Sequence, residues 1–199
     1  EGLPRVLPVI EAIAPELRVP ISIDTSKAEV ARAALHAGAS MINDVTALRG
    51  DPQMAAVVAE AGSPLCLMHM LGEPRTMQKN PRYGDVVTDI REFFTKRIDY
   101  AINHGVRREN IIIDPGIGFG KTLEHNLEIL RRLNEFHAQG LPLLIGLSRK
   151  RFIGMIMDDD GSTLRRPGTS PATSTGSDER AGRLRREHDG VPSEQPSAA

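Results

Sequence analysis

Apolar positions along this chain switch repeatedly between helical and strand spacing. Val6, Leu7, Ile10, Ile13, Ala14 and Leu17 recur at helical intervals, and the chain then turns at Val19-Pro20. Ile21, Ser22 and Ile23 predict a strand ending at Asp24, with Thr25 or Ser26 placed to cap a helix from Lys27 to Ala37 that Gly38 stops. Met41 and Ile42 predict a second strand ending at Asn43 and Asp44, and Asp51-Pro52 opens a helix closed by Gly62. Pro64 to Met70 reads as a third strand, followed by a long polar connection from Leu71 to Asp85. Val86, Val87, Ile90, Phe93, Phe94, Ile98, Ala101 and Ile102 lay out the longest amphipathic helix, ended by Gly105. Ile111 to Ile113 form a fourth strand running into Asp114 and a glycine-rich turn. Thr122 is placed to cap a helix from Leu123 to about Ala138. Leu141 to Leu147 is a fifth strand, and Ser148 is placed to cap a helix beginning Arg149, Lys150 and Arg151.

Strict strand-helix alternation means a parallel sheet with right-handed crossovers, either closed as a barrel or open and doubly wound. Asp24, Asn43, His69, Asp114 and Ser148 each fall where a strand gives way to its helix. Polar residues from five consecutive strands converge more naturally on the mouth of a barrel than on one switch point. The expected fold class is therefore α/β, a partial TIM (β/α)8 barrel of about five strand-helix units, spanning residues 1–157. After Met157 the pattern stops. Residues 158–199 hold only Leu164, Leu184 and Val191 as large aliphatics among Ser, Thr, Pro, Gly and Arg, which predicts a low-complexity, disordered tail.

Composition narrows the classes further. The 199 residues carry 40% hydrophobic content and a formal net charge of −1, enough for one substantial core with no electrostatic pull toward nucleic acid. The single cysteine, Cys66, lies in an apolar run and reads as core packing, without a disulfide framework or paired-cysteine metal site. No run approaches the roughly 20 apolar residues of a membrane span, and residues 1–5 form no basic leader, so the expected location is cytoplasmic.

Three motifs carry chemistry. Gly116-Ile117-Gly118-Phe119-Gly120-Lys121-Thr122 resembles a phosphate loop, but Pro115 stands where its first glycine belongs, and the glycine spacing is wrong for a dinucleotide turn. The glycines still permit close backbone approach to a ligand, so the turn reads as a mobile rim. Asp114, at the end of an apolar strand, needs a partner. A heterocycle presenting adjacent N–H groups would supply two charge-assisted bonds of roughly 1.5 to 3 kcal/mol each, the alternative being a salt bridge to a nearby Lys or Arg. Ser148 with Arg149, Lys150 and Arg151 assembles a hydroxyl, helix amides and cations suited to an anion, although a solvated basic first turn reads the same way. His69, between two methionines, has no triad partner and reads as core or pocket lining. No histidine cluster suits a metal.

Ser22-Ile23-Asp24-Thr25-Ser26-Lys27, Ile42-Asn43-Asp44, Leu67-Met68-His69-Met70, Asp114 to Lys121 and Ser148-Arg149-Lys150-Arg151, in this order, resemble the dihydropteroate synthase family over about residues 1–157. The resemblance implies a transferase of folate biosynthesis. It would join 6-hydroxymethyl-7,8-dihydropterin diphosphate to p-aminobenzoate on a pterin-binding barrel, with magnesium as cofactor and a homodimer as the assembly. By position, Asp24, Asn43, Met68, Asp114, Gly146 and Lys150 would form the pterin pocket, with Asp24 and Lys150 also catalytic. Phe119 and Ser148 would meet p-aminobenzoate.

Family members also carry two earlier strands, with an asparagine for magnesium and diphosphate, and an eighth strand with an Arg-x-His pair. Neither is expected here, and the usual protein ligand for magnesium is among the missing residues. Arg186-Glu187-His188 copies that pair in letters, but Arg183, Leu184 and Arg185 before it are too charged for a barrel strand. Five strands of eight cannot close a barrel. The chain therefore reads as a fragment whose frame shifted after Met157. The rival readings are a non-catalytic or inactive pterin-binding fragment, and a pterin-dependent methyltransferase, which would not be expected to keep Ser148-Arg149-Lys150.

Overall fold

The computed structural model describes residues 3–72, 76–148, 150–156 and 172–174. Helix α1 (Leu3–Ile13) precedes β1 (Ser22–Asp24), α2 (Ala28–His36), β2 (Met41–Asp44), α3 (Met54–Ala61), β3 (Leu65–Met68) and α4 (Val86–Asn103). Strand β4 (Ile111–Asp114), α5 (Leu123–Arg131), β5 (Leu143–Ile145) and α6 (Arg151–Ile156) follow. Strands β1 to β5 are all parallel and lie side by side in chain order. A sheet wound in one direction without a reversal has no switch point, which is the wall of a barrel rather than a doubly wound sheet. The partial (β/α)8 barrel is thus present as five successive strand-helix units.

Register sorts the side chains into two faces, because consecutive residues of a strand point to opposite sides. Ile23, Ile42, Leu65 and Ile111 lie in one row across the sheet, with Leu67, Ile113 and Leu143 two residues further on. All are buried under the helices, packed with Ala31 and Ala34 of α2, Val57 and Val58 of α3, and Ile90 and Phe94 of α4. Asp24, Asn43, Cys66 and Ile112 form the corresponding row on the other face, the barrel lumen, with Met68 and Asp114 level with each other above it. Cys66 is buried as expected, but it faces the lumen rather than the helices.

Several helix ends differ from the sequence reading. The first amide of α2 is held by Asp51 from the loop after β2, at 2.8 Å, while Thr25 Oγ1 accepts only from the Lys27 N–H. Asp51 also accepts from Gln53 N–H, so one carboxylate serves the starts of α2 and α3, a pairing that only folding creates. Helix α5 stops at Arg131 and tightens into a 3-10 turn over Leu133–Gln139. Helix α6 begins at Arg151, two residues later than predicted, leaving Ser148 exposed in the preceding turn instead of capping. Within the stretch read as disordered, Ala172–Ser174 form a short strand, β6, antiparallel to β5. The remainder of that tail, including Arg186 and His188, lies outside the described residues.

Two loops at the C-terminal strand ends are tightly held. After β2, Ala47 and Leu48 take left-handed backbone angles (φ 51° and 64°), a strained choice for residues with a Cβ. The fully buried Asp44 accepts from Thr46 N–H, Thr46 Oγ1–H and Leu48 N–H, and Arg97 donates to the carbonyls of Ala47 and Leu48. These bonds compensate the strain. After β4, the glycine-rich turn is clamped. Gly118 N–H donates to Asn126 Oδ1, Gln78 donates to the Gly118 carbonyl, and the Tyr83 hydroxyl donates to the Gly120 carbonyl. Gly116 and Gly120 have positive φ and press against the carbonyls of His69 and Leu71. The expectation of a mobile rim is therefore corrected: its polar groups are tied down on three sides.

Replacing Asp44 with Ala leaves three loop donors unpaired and is expected to cost about 3 kcal/mol, measured as a lower urea midpoint at unchanged slope. Gly116→Ala is expected to cost about 4 kcal/mol or more, because the new Cβ meets the His69 carbonyl at an unfavourable φ of 67°. Gly146→Ala serves as its control. A Cβ there meets nothing within 4 Å, so the melting temperature should not change.

Candidate ligand site at the barrel mouth

The polar residues of the lumen face come from the ends of three strands: Asp24 of β1, Asn43 of β2 and Asp114 of β4. Asp114 closes β4 and is buried, with Oδ1 accepting from the Gly116 N–H at 2.7 Å. Oδ2 takes no hydrogen bond among the described residues. No Lys or Arg among the described residues lies within ion-pair distance of it either. Burial pushes its carboxyl up to about 6, while the Gly116 N–H and the charges of Lys150 and Lys121 pull the other way.

Around this carboxylate the lumen residues gather at two heights. Asn43 sits half-buried on β2 beside Asp24, and its buried Oδ1 finds no partner among the described residues. Asp24 is more open, yet desolvation raises its pKa, with the nearby charge of Asp44 adding to the effect. Met68 pairs in register with Asp114 and is buried, giving the pocket an apolar side. Gly146 follows β5 with empty space where a side chain would stand.

The mouth is rimmed by cations and one ring. Lys150 Nζ lies 4.1 Å from the centroid of the Phe119 ring, and its pKa is lowered by desolvation although Asp114 acts to raise it. A cleft of about 410 Å³ opens beside the glycine turn, lined by Gln78, Gly118, Lys121, Lys150 and Phe152 among others, and by none of Asp24, Asn43, Met68, Asp114 or Gly146. Ser148 is exposed nearby in sequence, without helix amides beside it, so the expected hydroxyl-and-amide anion cradle is not formed by α6. A second cavity, of about 340 Å³, lies between α2 and α3, against Arg32, His36 and Val57, and shares no residue with the mouth.

Two residues behind the rim escaped the sequence reading. Lys121 is buried, and its Nζ meets His69 Nδ1 at 3.0 Å, the Phe119 carbonyl at 3.0 Å and the His69 carbonyl at 3.4 Å. Burial pushes Lys121 down to about 7, and burial together with Lys121 and Arg49 pushes His69 down to about 2, so His69 is neutral. The other is Asn126, which closes the turn from α5. A Gly-Lys-Thr sequence was the available signal for Lys121, but it pointed outward to a phosphate. The amides of Gly116 and Gly118 are already committed to Asp114 and Asn126 and are not free to hold a phosphate.

Among the described residues no group of three or more His, Cys, Asp or Glu comes together, so they offer no all-protein cage for a metal ion. Nor is any described helix long and apolar enough to cross a membrane.

Comparison with known proteins agrees with this geometry. The pattern of the family described as pterin binding enzyme matches residues 1–182. Dihydropteroate synthase of Synechocystis is 51% identical over 158 residues, which cover 79% of this chain and 55% of the relative. The solved dihydropteroate synthase of Stenotrophomonas maltophilia is 49% identical at a TM-score of 0.78, covering 80% of this chain and 60% of that one. That of Xanthomonas albilineans, in complex with 7,8-dihydropteroate, is 43% identical at 0.73, covering 81% and 57%. The chain spans a little over half the length of the curated relative it matches. Carboxylates and an amide on the lumen side of successive parallel strands, a clamped glycine turn after the fourth strand and a family pattern over most of its length place this chain in the pterin binding enzyme family.

Proposed function

We propose that this chain is the pterin-holding part of a dihydropteroate synthase. The reaction condenses 6-hydroxymethyl-7,8-dihydropterin diphosphate with p-aminobenzoate to give 7,8-dihydropteroate and diphosphate. The observation that carries the reading is the buried Asp114 carboxylate, whose Oδ2 is unpaired among the described residues while open space lies at Gly146. A pterin edge with adjacent N–H groups supplies the donors that carboxylate lacks. Asn43 Oδ1, also without a partner among the described residues, can accept a further ring N–H, and Met68 lies against the ring face. Lys150 reaches the mouth beside Phe119 and would donate to the ring carbonyl, leaving Phe119 and Ser148 toward p-aminobenzoate.

In the reaction the C–O bond to diphosphate breaks, positive charge develops on the exocyclic methylene, and the p-aminobenzoate amine forms the new C–N bond and gives up a proton. Asp24, on the same face as Asn43 and Asp114 but lower in the lumen, stands where a negative charge offsets that cation. The reading carries with it a cytoplasmic location and a homodimer of the whole protein. Magnesium is expected with it as well, although the described residues gather no cluster of three or more donors to cage the ion by themselves. Pterin binding without turnover by this chain would favour the non-catalytic reading instead, as the chain spans little over half of its relative.

Binding of 6-hydroxymethylpterin, followed by calorimetry, is expected to require the ionised Asp114. Affinity should fall about tenfold between pH 7 and pH 5, with the midpoint near pH 6, where burial has pushed the carboxyl. Stability responds with the opposite sign. The free fold retains the Asp114 proton to higher pH than the unfolded chain does, so this group lowers stability as pH rises from about 4 to about 6. Asp114→Asn should abolish the pH dependence of binding and weaken it about a hundredfold, and Lys150→Met should weaken it about tenfold at unchanged melting temperature. Undiminished binding by Asp114→Asn would sink the assignment.

A further inference from the structure

The one buried cation of the described site that the proposed chemistry leaves idle is Lys121. Its side chain is buried, and its ammonium meets three acceptors: His69 Nδ1, the His69 carbonyl and the Phe119 carbonyl. Three ammonium protons for three acceptors is full satisfaction, the condition under which a buried lysine is held rather than expelled. The acceptors belong to two segments far apart in sequence. His69 follows β3 and is wedged edge-on against Phe93, at 4.8 Å between centroids, while Phe119 is on the turn after β4 and carries the ring under Lys150.

We propose that Lys121 is a positioning residue, an ammonium fixed on the protein side of the site that ties Phe119 to the end of β3 and stands as the buried counter-charge of Asp114. This deepens the pterin-holding reading and rests on it for its ligand. Its geometry is that of a strut. The only bond it makes to the turn is to the Phe119 carbonyl, which sets where that ring lies at the mouth. The charged groups acting on Asp114 are Lys121 from the turn and Lys150 from beyond β5, and only Lys150 can follow a ligand, since Lys121 has no slack. His69 accepts at Nδ1 and so carries its proton at Nε2, which fixes one tautomer of a ring too buried to charge. The electrostatic coupling agrees: Lys121 acts to lower the Asp114 pKa, and Asp114 acts to raise that of Lys121.

The test needs no ligand for its first arm. In the wild-type chain, nitrogen NMR should show His69 neutral and unprotonated at Nδ1, and Lys121 titrating well below an ordinary lysine. A His69 protonated at Nδ1, or an ordinary Lys121 titration, overturns the proposal without any variant. Lys121→Met and Lys121→Gln both remove the charge, so the Asp114 carboxyl midpoint should rise by about one unit in each. Only Met removes the donor to the Phe119 carbonyl. The ring-current shift on the Lys150 methylenes should therefore collapse in Lys121→Met and persist in Lys121→Gln. A lysine that only ties the turn would give this pattern without moving the midpoint, so an unchanged midpoint rejects the counter-charge, and a ring-current shift that survives in Lys121→Met rejects the tie.

The second arm uses 6-hydroxymethylpterin. A one-unit rise predicts about threefold weaker binding at pH 6.5 and nearly unchanged binding at pH 8 in both variants. Equal losses at the two pH values overturn the proposal. If the wild-type chain binds no pterin at either pH, it is the pterin-holding reading that fails, and the role of Lys121 is decided by the first arm alone.

Discussion

The in-register pairing of five parallel strands is the constraint from which the rest follows. Because each strand turns successive residues to opposite faces, a single register assigns Ile23, Ile42, Leu65 and Ile111 to the helices and Asp24, Asn43 and Cys66 to the lumen. A slip of one residue in any strand would bring a carboxylate under the helices and an isoleucine into the mouth. Asp44 shows how strict the rule is. It is adjacent to Asn43 but faces the helix side, fully buried, where its role is to hold the next loop in shape.

The same constraint explains how chemistry is concentrated at one end. The strand ends deliver short loops whose strain is absorbed by fixed polar partners: Asp44 and Arg97 under the left-handed Ala47 and Leu48, and Gln78, Tyr83, Asn126 and Lys121 around the glycine turn. With those groups satisfied internally, the unpaired polar atoms stand out by contrast. Asn43 Oδ1 is buried without a partner among the described residues, which is costly unless a ligand completes it, and Asp114 Oδ2 takes no hydrogen bond there either. Preorganisation and an unmet hydrogen-bonding demand are two aspects of one arrangement.

Electrostatics at the mouth is set by burial more than by ion pairing. The surface pairs, such as Arg132 with Asp85 and Glu135, join α4 to the segment after α5 and lie far from the lumen in role. Near Asp114 desolvation shifts each group toward neutrality, and opposite charges act across space to restore it, although Lys150 pushes Lys121 further down. Such a set responds to a ligand that replaces water with N–H donors, because the carboxylate then regains what burial removed.

Much of this was legible in the chain alone. Alternating spacing, strand-end polar residues and the Asp114 to Thr122 stretch carried the fold class, the strand-helix order and the candidate pocket, because each of those signals is local: periodicity over a few residues, a cap, a glycine run. What required the tertiary structure was everything decided between distant segments. The carboxylate that holds the first turn of α2 comes from Asp51 beyond β2, not from Thr25 or Ser26. Residues predicted to continue α5 tighten into a 3-10 turn, and α6 starts too late for Ser148 to cap it. Lys121 has no assigned role in the sequence reading, which rejects a phosphate loop, and becomes a buried strut only because β3 delivers the His69 ring and carbonyl to within hydrogen-bonding distance. Local patterns determine which elements form, whereas burial and partnership depend on which strands lie side by side, and no single segment contains that information.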